Sequence, residues 1–376
     1  MKIYKISSNN DFDLLCSEIK PHNIGKGIMK KKSNLNYFYI KNIKRSAINI
    51  LKQDALSVGA ELISPKDSVL GGSEIENAVL IANDKQISLL IKKEAMQDFG
   101  LKILSNFLKI KFKKPKIPQI MGVLNFNNDS FNPFSRTKLK DCIKKSENLI
   151  NSGADFLDIG AVSSRPGSKY IGSKAEFERI KPVIDELYKH KIYEQTKLSL
   201  DSFDEICLRY ALDHGFCFIN DISGNTALCE LAKEYNAYYC LMNMIGSPEN
   251  MQDNVKDCDI LGVVDEFFET KLAQIKDYDK IILDVGIGFG KTANDNMKLI
   301  KNLEHFLHFG FDLLIGASRK SLINAYFPSK VEDRLAGSLF LHQKAFENGA
   351  KIIRTHDVYE HAQMFKLNQI YSKITI

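Results

Sequence analysis

Short apolar runs along the C-terminal two-thirds of this 376-residue chain end, one after another, in residues able to do chemistry. In order these are Asn125, Ser163 with Ser164, Asp201, Asn220 with Asp221, Asn243, Asp284, the Ser-Arg-Lys triplet 318–320, and Arg354 with His356. Asp201, Asn220 and Asp284 close the runs LSLDS, FINDIS and IILDVG. A carboxylate in such a run is costly to bury unless it is hydrogen-bonded. A flat nitrogen heterocycle with an amino-pyrimidinone edge would satisfy this set, offering N–H donors to the carboxylates and mixed groups to the amide. Structural hydrogen bonding at a rim, or a metal site, is the alternative use of the same residues.

A cationic set comes from other segments: Arg165 in SSRPGS, Arg319 and Lys320 in GASRKS, and Arg354 and His356 in IIRTHD. Arginine grips phosphate through a planar fork, whereas lysine acts as a mobile point charge. Any one of them could be a surface ion pair; gathered at one rim, they point to an anionic leaving group. The GIGFGKT segment at 286–292 superficially resembles a phosphate loop. Its glycines Gly286 and Gly290 are too close for GxxxxGK[ST] spacing. They suit a backbone that approaches a flat ligand, with Phe289 packing against an aromatic ring.

The elements needed to position these residues are legible. Strand candidates fall at 119–125, 155–160, 197–202, 217–223, 238–244, 280–286, 312–320 and 351–357, with helical patterns between most of them. The strands are apolar on both faces, as parallel strands covered by helices must be. Their count and spacing predict an α/β fold, a (β/α)8 TIM barrel over 119–376, whose active site sits where the strand C-termini converge. Residues 1–108 read as a small α+β extension with strands at 1–7, 36–43 and 77–84. Its helices are expected at 11–19, 45–60 and, as one long element, 85–108. A basic linker at 109–118 joins the two parts.

Hydrophobic content of 44% and charged content of 26% are those of a globular chain. The net charge of +6 is modest, and the lysine runs at 26–32 and 109–118 lack interleaved aromatics. They read as solvated loop and linker, with no nucleic-acid partner. The seven cysteines form no CxxC pair, so they read as small core residues in a reducing compartment. No run of about 18 apolar residues and no apolar leader region is present, which predicts a cytoplasmic protein without a membrane partner.

The blocks IMGVLNFNNDSF, GADFLDIGAVSSRPGS, LSLDS, INDISG, LMNMIGSPENMQ, ILDVGIGFGKT, IGASRKS and RTHDV resemble the dihydropteroate synthase family, in its order and spacing. The resemblance covers roughly 117–376 and leaves the N-terminal region outside it. It implies condensation of (7,8-dihydropterin-6-yl)methyl diphosphate with 4-aminobenzoate, with Mg²⁺ as cofactor, in a homodimer. It also implies an SN1-like course with no covalent enzyme intermediate. By position, Asp201, Asn220, Asp284 and Lys320 would recognise pterin. Asn125 would contact Mg²⁺ and, with Arg165, Arg354 and His356, the diphosphate. Phe131, Ser164, Arg165, Pro166, Phe289 and Ser321 would line the aminobenzoate pocket. Asp129 would act from a closing loop, and Lys320, Arg354 and His356 would complete the catalytic set. Departures from the family pattern sit at Asn127, Asn128, Ala161, Val162, Ser164, Asn243 and Val285. A pterin-binding methyltransferase and a non-catalytic regulatory paralogue are the competing readings.

Overall fold

The computed structural model of the chain describes residues 1–72, 74–126, 141–162, 168, 170–247 and 258–375. Two compact units divide it: 1–111 together with 370–376, and 112–369.

In the first unit, β1 (Leu35–Lys44) and β2 (Glu61–Ile63) flank β3 (Ile75–Asn83) in an antiparallel sheet of order β1-β3-β2. Ala47, Ile48, Leu51 and Ala55 of helix Arg45–Ser57 join Leu80, Ala82, Leu90 and Leu101 in its buried core. Three expectations fail here. Residues 1–7 form no strand. The lysine run at 26–32 is helical, within Asn23–Ser33, where Lys26 and Lys30 pair with Asp13. The long helix expected at 85–108 is two helices, Asp84–Glu94 and Leu101–Leu108. Phe99 and Gly100 break it by adopting left-handed backbone, which a right-handed helix cannot carry through.

The second unit is a closed barrel of eight parallel strands with helices between them, as the apolar periodicity predicts. In chain order its strands are β4 (Gln119–Asn125), β5 (Phe156–Gly160), β6 (Lys197–Asp201), β7 (Phe218–Asp221), β8 (Tyr238–Met242), β9 (Ile281–Asp284), β10 (Asp312–Ile315) and β11 (Ala350–Thr355). Alternate side chains point inward. Met121, Phe156, Phe218, Cys240, Ile282, Leu314 and Ile352 therefore pack together inside the barrel. Their neighbours, such as Leu157, Ile159, Leu198 and Leu283, pack outward under the helices. Lys197 lies over the Phe156 and Tyr238 rings, 4.9 and 5.3 Å from their centroids.

The same alternation decides which polar residues can face the mouth. Counting by two from Phe156 reaches Asp158 and Gly160. Counting from Phe218 reaches Asn220, and from Ile282 it reaches Asp284. The first two barrel strands end where expected and the third one residue early; the other five stop two to five residues short of the expected C-terminal ends because the chain turns away there into loops. Among the described residues, no helix is long and apolar enough to cross a membrane.

Candidate active site

Three carboxylates and an amide converge at the strand ends. Arg354 of β11 donates through Nε to Asp158 of β5 at 2.6 Å and through Nη2 to Asp201 of β6 at 2.7 Å. Asp158, fully buried, also accepts from Ser199 Oγ at 2.5 Å and from Asn220 Nδ2 at 3.0 Å. These charge-assisted bonds offset the cost of burying the Asp158 carboxylate. Burial raises the Asp201 pKa, and Arg354 opposes the shift. Asp284 is 8% exposed and accepts from the Gly286 N–H at 2.8 Å; burial raises its pKa too, countered by that bond and by Lys320. The adjacent Asp221 points the other way. Ser223, Asn225 and Tyr239 satisfy it, making it a turn anchor rather than a mouth residue.

The loop after β9 is held open in a shape that only glycine permits. Gly286 has φ +66°, and a Cβ there would stand 1.8 Å from the Asn243 carbonyl oxygen. At Gly290, φ +67°, a Cβ would stand 2.0 Å from the Ile245 carbonyl oxygen. Buried Lys291 ties this loop together, donating to the carbonyls of Asn243, Gly286 and Phe289 at 3.0–3.1 Å. Burial depresses its ammonium to about 7. Lys320 reaches across from the loop after β10, donates to the Ile287 carbonyl, and lies 4.7 Å from the Phe289 ring centroid. Burial lowers its pKa to about 8, against the pull of Asp284. Phe289 is thus at the mouth beside Lys320, whereas Ser321 begins the helix Ser321–Tyr326 with an exposed side chain.

The loops after β10 and β11 are locked to each other. Ser318 Oγ lies 2.9 Å from His356 Nδ1, and burial drives the His356 pKa down to about 3, so its ring is neutral. If Ser318 donates to Nδ1, Nε2 carries the proton and can serve as a donor. Below them, the Ala317 N–H donates to His342 Nε2 at 2.8 Å, and His342 Nδ1 lies 2.7 Å from His361 Nε2. His361 Nδ1 is 2.6 Å from the Asp357 carbonyl. A backbone donor at one end and a backbone acceptor at the other dictate both neutral tautomers. Arg319 does not join the cationic rim. Its guanidinium is 8% exposed, paired with Asp357 at 2.7 and 2.9 Å, and it donates to the Val331 and Glu332 carbonyls.

Asn125 ends β4 next to Gly160, where a Cβ would come within 3.0 Å of its Oδ1. The glycine keeps that amide oxygen clear. An amide oxygen is a hard donor, and Mg²⁺ typically takes few protein ligands beside water and phosphate oxygens. The site therefore fits such an ion. Asp129, Phe131, Ser164, Arg165 and Pro166 lie outside the described residues. Sequence reasoning missed Asp158, Ser199 and Lys291. For the first two, the signal was there: Asp158 shares inward parity with Gly160, and Ser199 with Asp201.

A family model described as pterin binding enzyme matches residues 121–356. A Helicobacter pylori protein named bifunctional dihydropteroate synthase/dihydropteroate reductase is 41% identical over 93% of this chain and 94% of its own length. The Escherichia coli dihydropteroate synthase is 34% identical over 66% of this chain and 90% of its own. Among solved structures, the Yersinia pestis dihydropteroate synthase in a sulfonamide complex superposes with a TM-score of 0.63. It is 30% identical and covers 70% of this chain and 97% of that one.

Gly286→Ala tests the loop geometry. Left-handed strain and the clash with the Asn243 carbonyl should together cost roughly 2–4 kcal/mol in chemical denaturation. A loss below about 0.5 kcal/mol, the range of ordinary surface changes, would contradict the described loop.

Proposed function

Because the chain belongs to the pterin-binding enzyme family, in its dihydropteroate synthase branch, we propose how its own residues carry that transferase reaction. The substrates are (7,8-dihydropterin-6-yl)methyl diphosphate and 4-aminobenzoate, and the products 7,8-dihydropteroate and diphosphate. The observation that carries the assignment is the convergence of Asp201, Asn220, Asp284 and Lys320 from four strands or their following loops on one mouth.

Asp201 and Asp284 accept from the pterin's N–H donors, Asn220 pairs with its mixed edge, and Lys320 donates to a ring acceptor. Arg354, already oriented by Asp158 and Asp201, presents its remaining N–H groups to the diphosphate. His356 adds a neutral donor, and Arg165 joins from its loop. Mg²⁺, when bound through Asn125, would supply positive charge to the departing diphosphate. Breaking the C–O bond early leaves a cation delocalised over the ring, which the carboxylates Asp201 and Asp284, with Asp129, favour electrostatically. Closure of the loops carrying Asp129, Phe131, Ser164, Arg165 and Pro166 excludes water that would capture that cation. With Phe289 and Ser321, these loops hold the aminobenzoate, the position for which a sulfonamide would compete. The amine then attacks without a covalent enzyme intermediate. We assign this chemistry to 119–376, with 1–108 an extension and 109–118 a linker, in a cytosolic homodimer.

Steady-state diphosphate release should require both substrates, and Lys320→Ala should lower kcat/KM about a hundredfold or more, the usual cost of a directed donor. Sustained turnover with only one substrate would refute the reading.

The Lys320 ammonium is present below about pH 8 and lost above it. Affinity for a pterin analogue, measured by calorimetry, should fall as pH rises past 8, approaching tenfold per unit. Affinity that is flat to pH 10 would remove Lys320 from the pterin contacts.

A second reading concerns the extension. The bifunctional relative matches 93% of the chain, a span that must include most of residues 1–108, whereas the E. coli enzyme matches 66%. That coverage favours a dihydropteroate reductase activity as well, with hydride supplied by a reduced nicotinamide or flavin. Tetrahydropteroate should accumulate when the chain is given dihydropteroate, NADPH and flavin. Its absence under those conditions would exclude this activity.

A further inference from the structure

We propose that Asp265, His305 and His308 form a second metal site, for a Zn²⁺-class divalent cation, on the outer wall of the barrel. The elements that carry them are rigidly joined. Helix Ile260–Leu272 buries Ile260, Val264 and Phe268, and the 3₁₀ segment Leu303–Phe309 buries Leu303, Phe306 and Leu307. Phe268 meets Phe306 and Phe309 edge-on at 5.9 and 5.7 Å. With three residues per 3₁₀ turn, positions 305 and 308 eclipse on one face. Their rings lie 4.8 Å apart, facing Asp265 on the neighbouring helix.

The two histidine–carboxylate distances are close to the edge of a tetrahedral site. His305 Nε2 and His308 Nε2 approach the same oxygen, Asp265 Oδ1, at 3.0 and 3.4 Å. One ligand atom from each residue lies within 4.8 Å of the others. Ligands about 2.0–2.1 Å from Zn²⁺ at tetrahedral angles stand about 3.3–3.4 Å from one another. His308 Nδ1 is 2.7 Å from the His305 carbonyl, which can only accept, so the proton sits on Nδ1. In the neutral ring Nε2 then turns a lone pair toward the carboxylate. An imidazole whose second nitrogen is tied to a backbone carbonyl is the usual outer arrangement of a metal ligand.

Two imidazoles and one carboxylate select a borderline metal over Mg²⁺ or Ca²⁺, which prefer all-oxygen shells. The three side chains are 12–32% exposed, leaving a coordination position open to water. A bound ion would pin the helix that follows β8 to the segment that enters β10, the strand leading to Ser318 and Lys320.

The test is titration of the chelator-treated full chain with Zn²⁺ and with Co²⁺, in excess Mg²⁺. One equivalent should bind, Tm should rise by about 5 °C at a hundredfold excess over Kd, and Co²⁺ should show tetrahedral d–d bands. His308→Gln and, independently, Asp265→Asn should each weaken binding at least tenfold while leaving dihydropteroate formation in chelated buffer with Mg²⁺ unchanged. No saturable binding by the wild-type chain would overturn the proposal. So would unchanged affinity in both variants, or a Co²⁺ spectrum dominated by thiolate charge transfer, which would place the metal on cysteine.

Discussion

Arg354 spans the barrel mouth, and the polar interior depends on its guanidinium. Two inward carboxylates, Asp158 and Asp201, are brought together by adjacent strands paired in register, Asp158 with Ser199 and Gly160 with Asp201. Unpaired, two carboxylates so placed would repel each other. The guanidinium fork meets both, and Ser199 and Asn220 fill Asp158's remaining acceptor sites. Removing one member of such a set leaves the others buried and uncompensated, which is costlier than never having buried them. In the proposed chemistry the same arginine also meets the diphosphate. One cation therefore pairs with both carboxylates and links the pterin end of the site to the anionic end.

Around that centre, backbone constraints set where the mobile charges can go. Gly286 and Gly290 let the β9 loop press against the carbonyls of residues 243 and 245, and Lys291 bonds three carbonyls of the same region. The loop becomes a firm ledge on which Lys320 rests near Phe289. On the far side, the chain from Ala317 through His342 and His361 to Asp357 couples the two loops that carry Ser318, Lys320 and His356. Burial keeps both histidines neutral, which preserves the donor–acceptor order on which that coupling rests.

Some residue types that read alike in sequence are used differently. Arg319 and Lys320 are neighbours, yet the left-handed backbone at Arg319 (φ 54°) turns its side chain into Asp357 and leaves Lys320 to face the mouth. Asn220 and Asp221 are likewise adjacent, and strand alternation sends one inward and the other into a turn. Asp158 was overlooked because it lies one layer below the strand end, where a polar residue in an apolar run gives no turn signal.

Sequence alone determined the barrel, because eight apolar runs separated by amphipathic helices admit few other ways to bury both strand faces. It also determined most of the mouth, because polar residues ending apolar strands are costly anywhere else. The N-terminal unit was less legible: its lysine-rich helix lacks a strong apolar face, and the break at Phe99 and Gly100 interrupts an otherwise continuous helical pattern. Tertiary structure alone decided which cation neutralises which carboxylate and that Arg319 is structural. It alone brought Asp265 to His305 and His308. Those outcomes depend on register, side-chain direction and contacts between residues far apart in the chain, none of which local periodicity encodes.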